Sequence, residues 1–203
     1  MFFVNDFRRK RTLYLALIRS QFEHCSPIWR PINQTMISKF EAFQKKCIKW
    51  ILSEEPVHYH SHETYVRKCR EARVLPLVKR FDLNDLTLFY KVIFELIPLK
   101  LPGYLSFFDG QSRLRSCHLD NLSLVCSIKP RTNSFLSKNQ NSSLYKSFFY
   151  RTHFLWNKLP LELRAINSFS KFRTNLVKFM WSELLDPSES DSVLENGVTV
   201  SDI

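Results

Sequence analysis

The chain has 203 residues, 44% hydrophobic and 14% aromatic, which is enough to bury one substantial core and too apolar for a disordered chain. It holds only three glycines (Gly103, Gly110 and Gly197), so no GxGxxG, Walker-type or GxSxG loop can be written, and the composition favours helices. The net charge is +11, but six acidic residues and no Lys or Arg lie between Ser182 and Ile203; the 30 basic against the 13 remaining acidic residues leave +17 on residues 1–181.

Asn5 or Asp6 caps a first predicted helix that runs to about His24, with Leu13, Leu17 and Ile18 on one side; Pro27 and Pro31 end it. In the next helix Met36, Phe40, Phe43, Cys47, Trp50 and Ile51 recur at three- and four-residue steps. That stripe is expected to be buried, with Lys39, Lys45, Lys46 and Lys49 mainly outside it. Pro56 and the alternating His58, His60 and His62 form a break, and a short helix follows from about Glu63 to Arg73. Pro76 fits the first turn of a helix from Leu77 to Ile97, which is apolar nearly all round in its second half and reads as the central buried one. Asp82 and Asp85 on this helix read as surface or capping positions.

Pro98, Pro102 and Gly103 end that helix. Residues 104–145 lack strong periodicity, with short strands expected around Leu122–Ile128; the segment is either ordered by nucleic acid or degraded. A helix covers about Leu144 to Lys158. Ser168 or Ser170 caps a last one through about Leu185, with Phe169, Phe172, Leu176 and Phe179 on one face. The expected fold is mainly α: a helical bundle of about five to six helices with a long irregular or short-stranded insertion around 104–145. By composition it divides into helical 1–100, irregular basic 101–145, helical 146–186 and an acidic, disordered tail 187–203.

Five cysteines, odd in number and widely spaced, argue for a reducing compartment, nuclear or cytoplasmic. At the N-terminus the apolar residues precede Arg8, Arg9, Lys10 and Arg11, the reverse of a signal peptide. No apolar run reaches spanning length, so no membrane is expected; the best, Leu86–Ile97, contains Lys91 and Glu95. On an extended segment His58, His60 and His62 share a face; zinc would need a fourth ligand, for which Cys69 and Cys47 are the candidates, and no CxxC or zinc-knuckle spacing supports one. A solvated loop is the expectation, and no metal or cofactor is implied.

The strongest chemical signal is basic groups with aromatics between them. Arg8, Arg9, Lys10, Arg11 and Arg19 lie on the first helix, Lys45, Lys46 and Lys49 on the second, and Arg67 and Lys68 on the third. Repeated cations of this kind suit phosphate contacts to RNA or DNA. The competing readings are a nuclear-entry signal at residues 8–11 and a plain solvated helix face.

Three blocks carry a resemblance. They are LYLALIRSQFEHCSPIWRP (Leu13–Pro31), LPLVKRFDLNDLTLFYKVI (Leu75–Ile93) and SFFYRTHFLWNKLP (Ser147–Pro160). In this order the chain resembles the region after the palm in reverse transcriptases of jockey-type non-LTR retrotransposons (LINE elements), with His24 where the family more often has tyrosine. The resemblance implies a thumb-like helical region in residues 1–100 that grips the template–primer duplex, and a chain that begins where the active site has already ended. The family's palm signature includes two adjacent aspartates for its metal ions, and no Asp-Asp pair occurs among the eight aspartates. Polymerase activity is therefore not expected of this chain, and no catalytic residue is assigned. Trp29 and Trp156 are expected as core anchors. Arg151, polar beside two phenylalanines, is expected to meet either a phosphate or a buried partner. The implied function is non-catalytic binding of RNA or DNA backbone; the alternative is a relic or domesticated helical module that recognises an acidic protein partner.

Overall fold

The first helix follows from its cap-side Asp6 and a run without proline, but it is not a uniform α-helix. It has an α-helical start, α1 (Asp6–Leu13), a π-helical middle (Tyr14–Arg19) and a closing turn, α2 (Ser20–Glu23). The wide π turns shift the phase of the side chains. Tyr14 is therefore the buried residue, while Leu13 and Leu17, expected inside, are exposed. This fold comes from a computed structural model that describes residues 6–53, 62–108, 121–127 and 147–184. Most of the irregular segment, the acidic tail, His58 and His60 lie outside the described residues.

Cys25 takes a left-handed conformation at φ 52° and redirects the chain into α3 (Ser26–Trp29), with Pro27 in its first turn, where a missing N–H costs nothing. Asn33 then caps α4 (Gln34–Leu52), its side chain accepting from the Thr35 N–H at 2.9 Å. Helices α5 (His62–Glu71) and α6 (Leu77–Ile93) follow. With glycines scarce, helix ends use other residues in the left-handed region: Ser53 closes α4, Arg73 follows α5 and Glu95 follows α6.

Beyond α6, β1 (Leu105–Phe107) pairs antiparallel with β2 (Leu124–Cys126), with Ser106 opposite Val125. The helices α7 (Phe148–Lys158), α8 (Leu161–Arg164) and α9 (Phe169–Ser182) complete the described chain. Ser147 caps α7, its hydroxyl accepting from the Tyr150 N–H. The fold is mainly helical, with one small sheet among the described residues, as the periodicity predicts.

The described residues pack as two units. One comprises those of Met1–Asn84 and Lys178–Ile203, the other those of Asp85–Val177. In the first, Tyr14, Ile48, Ile51, Cys69 and Phe81 are buried, and Phe22, Phe40, Trp29 and Phe81 meet edge to face or tilted. In the second, Phe89, Tyr90, Trp156 and Phe172 are buried; Tyr90 stacks on Phe172 with ring centroids 4.3 Å apart. Such aromatic pairs add about 0.5–1.5 kcal/mol each beyond area burial.

Helix α4 buries only part of the stripe that its periodicity predicts: Cys47 and Ile51 are buried and Phe40 is half-buried. Gln44, Cys47, Ile48 and Ile51 face the interior, while Met36, Phe43 and Trp50 stay 43%, 43% and 45% exposed. The cause is a polar task on the inner face. Gln44 Nε2 donates to the Leu75 carbonyl at 2.8 Å, and the Glu41 carboxylate accepts from the Val78 N–H at 2.9 Å and from the Tyr65 hydroxyl. These groups satisfy backbone at the start of α6, which a hydrophobic stripe cannot do. Turning them inward rotates the aromatic edge outward.

Candidate nucleic-acid interface

Three buried or half-buried ion pairs set the frame. Arg80, 3% exposed, makes a two-pronged pair with Glu23, Nε to Oε1 at 2.6 Å and Nη2 to Oε2 at 2.8 Å. The same carboxylate also faces Arg19 Nε at 3.2 Å. Burial, and then the neighbouring Arg80 charge, lower the Arg19 pKa, and Glu23 opposes that shift. Arg30 pairs with Asp82 at 2.7 Å, and Ser26, buried, accepts from Asn84. In the second unit Arg151 holds Asp85 by two bonds, Nε to Oδ2 at 2.9 Å and Nη2 to Oδ1 at 3.1 Å.

These contacts correct the reading of Asp82 and Asp85 as surface or capping residues. Asp85 is fully buried, and both aspartates hold arginines. Of the two partners expected for Arg151, the buried one is present. The anchor reading suits Trp156, which is fully buried with its Nε1 donating to the Leu122 carbonyl at 3.0 Å. Its neighbour Asn157 accepts from the Leu124 N–H and donates to the Leu124 carbonyl, so one side chain stands in for a strand beside β2. Trp29 donates to the His24 carbonyl at 2.6 Å and packs against Phe81, but keeps 39% of its surface exposed.

The remaining basic residues divide into two sets. Lys10 pairs with Asp6 at 2.6 Å, donates to the Ser53 hydroxyl at 2.8 Å and lies 5.7 Å from the centre of the Trp50 ring. Arg11 donates to the Arg73 carbonyl at 3.2 Å. Lys45 lies over the Tyr65 ring at 4.9 Å, Lys68 pairs with Glu71 at 2.8 Å, and Lys49 also has a partner. By contrast Arg8 and Arg9 on α1, Lys46 on α4 and Arg67 on α5 are exposed and have no partner among the described residues.

Exposed aromatics stand with part of this second set. Lys10 of α1 lies over Trp50 of α4, and Phe22 of α2 packs on Phe43 of α4 with ring centroids 5.5 Å apart. Trp50 and Phe43 are exposed members of a stripe whose periodicity predicts burial. The missed signal is the polar pair Glu41 and Gln44 on the opposite edge, which competes for the interior.

Burial raises the thiol pKa of Cys47 and Cys69, so neither is a ready thiolate. Among the described residues no group of His, Cys, Asp and Glu is placed to hold a metal ion. No helix among them is long and apolar enough to cross a membrane. No family model matches this chain, and neither does any curated protein or solved structure.

Proposed function

We propose that this chain is a non-catalytic nucleic-acid-binding module that grips RNA or DNA by its phosphates, corresponding to the post-palm, thumb-side region of a non-LTR retrotransposon reverse transcriptase. The observation that carries the reading is the division among the cations. Seven of the eleven basic residues singled out in the sequence have protein partners, whereas Arg8, Arg9, Lys46 and Arg67 are exposed without one among the described residues. An exposed guanidinium or ammonium without a carboxylate is ready for a phosphate oxygen and gives up only water and counterions to take it.

The resemblance is consistent with this use. Glu23 and Arg30 of the first block are tied to Arg80 and Asp82 of the second, and Asp85 of the second to Arg151 of the third. The resembling residues therefore form scaffold, and the phosphate-binding role falls to side chains outside the blocks or on their margins. The expected result for the combined variant Arg8→Ala, Arg9→Ala, Lys46→Ala is a loss of about tenfold or more in affinity at low salt, equal for all sequences. Its folding stability should stay within about 0.5 kcal/mol, because all three side chains are exposed. Unchanged affinity in a titration against labelled RNA and DNA would sink the proposal.

A further inference from the structure

Five positions on α4 form one line on its exposed side: Met36, Lys39, Phe43, Lys46 and Trp50. Their spacing alternates three and four residues, so they share a single helix face, with apolar groups and ammonium groups taking turns. All five are exposed. Positions 43 and 50 are separated by about 10 Å of helix rise, the span of about three stacked bases, and so are positions 39 and 46. Lys10 from α1, itself paired with Asp6, lies over the Trp50 ring at 5.7 Å at that end.

We infer that this line is a seat for an unpaired nucleic-acid strand, its bases stacking on Trp50 and Phe43 and its phosphates meeting Lys39 and Lys46. The inference rests on the proposed nucleic-acid binding and names the form of nucleic acid. A duplex keeps its base faces covered and has no use for exposed rings, whereas a single strand offers a flat apolar face and a charge at every nucleotide. A second copy of this chain fits poorly, because a helix presenting the same line would set Lys39 and Lys46 against like charges. An acidic helix is the rival occupant. It would satisfy the lysines, but the +17 carried by residues 1–181 and the exposed Arg8 and Arg9 on the neighbouring helix favour a longer polyanion.

The test is fluorescence anisotropy of the full chain at low salt with labelled oligothymidylate of about 15 nucleotides, an abasic strand of equal length and a blunt duplex. The oligothymidylate should bind about tenfold or more tightly than the abasic strand. Trp50→Ala should remove most of that difference and leave abasic binding unchanged, while Trp50→Phe should retain most of it. Circular dichroism of both variants checks that the half-exposed site still folds. Equal binding of oligothymidylate and abasic strand, or duplex bound as tightly as oligothymidylate, overturns the stacking seat and leaves phosphate binding standing. Failure of all three to bind overturns both. Displacement of oligothymidylate by polyglutamate at equal charge concentration overturns the seat in favour of an acidic protein surface.

Discussion

Glu23→Ala is expected to destabilise the fold by about 3–5 kcal/mol, a large fraction of the roughly 5–15 kcal/mol that holds a domain folded. The Glu23 carboxylate accepts two bonds from Arg80 and faces Arg19 on its other side. Without it two guanidiniums in a poorly solvated place confront each other, and Arg80 at 3% exposure has little access to water. Equilibrium urea unfolding followed by circular dichroism reads the loss as a lower midpoint. A cost below about 1 kcal/mol would mean that the pair behaves as a surface ion pair.

Arg151→Met is expected to cost a similar amount for the opposite reason, since it leaves a buried anion. Asp85 is fully buried, and Arg151 holds both of its carboxylate oxygens. Removing the cation while keeping the aliphatic stem isolates the charge effect from lost packing. The double variant Asp85→Leu, Arg151→Met should recover much of the loss, because an apolar pair of similar volume has no desolvation penalty. A double-mutant cycle in urea gives the coupling directly. Additive single effects would show that the two side chains do not depend on each other.

The helices themselves were legible in the sequence. Prolines, caps and spaced apolar residues placed α4, α6, α7 and α9 within a few residues of their observed ends. The faces were less legible. On α4 the interior goes to Glu41 and Gln44 as well as to apolar groups, because the backbone at Leu75 and Val78 needs partners, and no hydrophobic pattern encodes that demand. On the first helix the π turns at Tyr14–Arg19 break the 3.6-residue phase on which the prediction of Leu13 and Leu17 rested.

The ion pairs were invisible for a different reason. Asp85 and Arg151 are 66 positions apart and Glu23 and Arg80 are 57 apart, so each charge read singly looks like surface. The basic set was legible as a composition. Which of its members remain exposed depends on those same long-range pairings. Lys10 has Asp6 four residues away, but Arg11 turns to a carbonyl 62 positions later.

Salt dependence of binding tests the phosphate-grip account most directly. Association with a labelled single strand, measured from about 50 to 200 mM monovalent salt, should weaken linearly on logarithmic axes. The predicted slope is about −2 to −3, the release expected for three or four phosphates at about −0.7 each, and it should become shallower when Arg8, Arg9 and Lys46 are replaced together. A slope near zero, or no association at about 50 mM salt, would contradict the account.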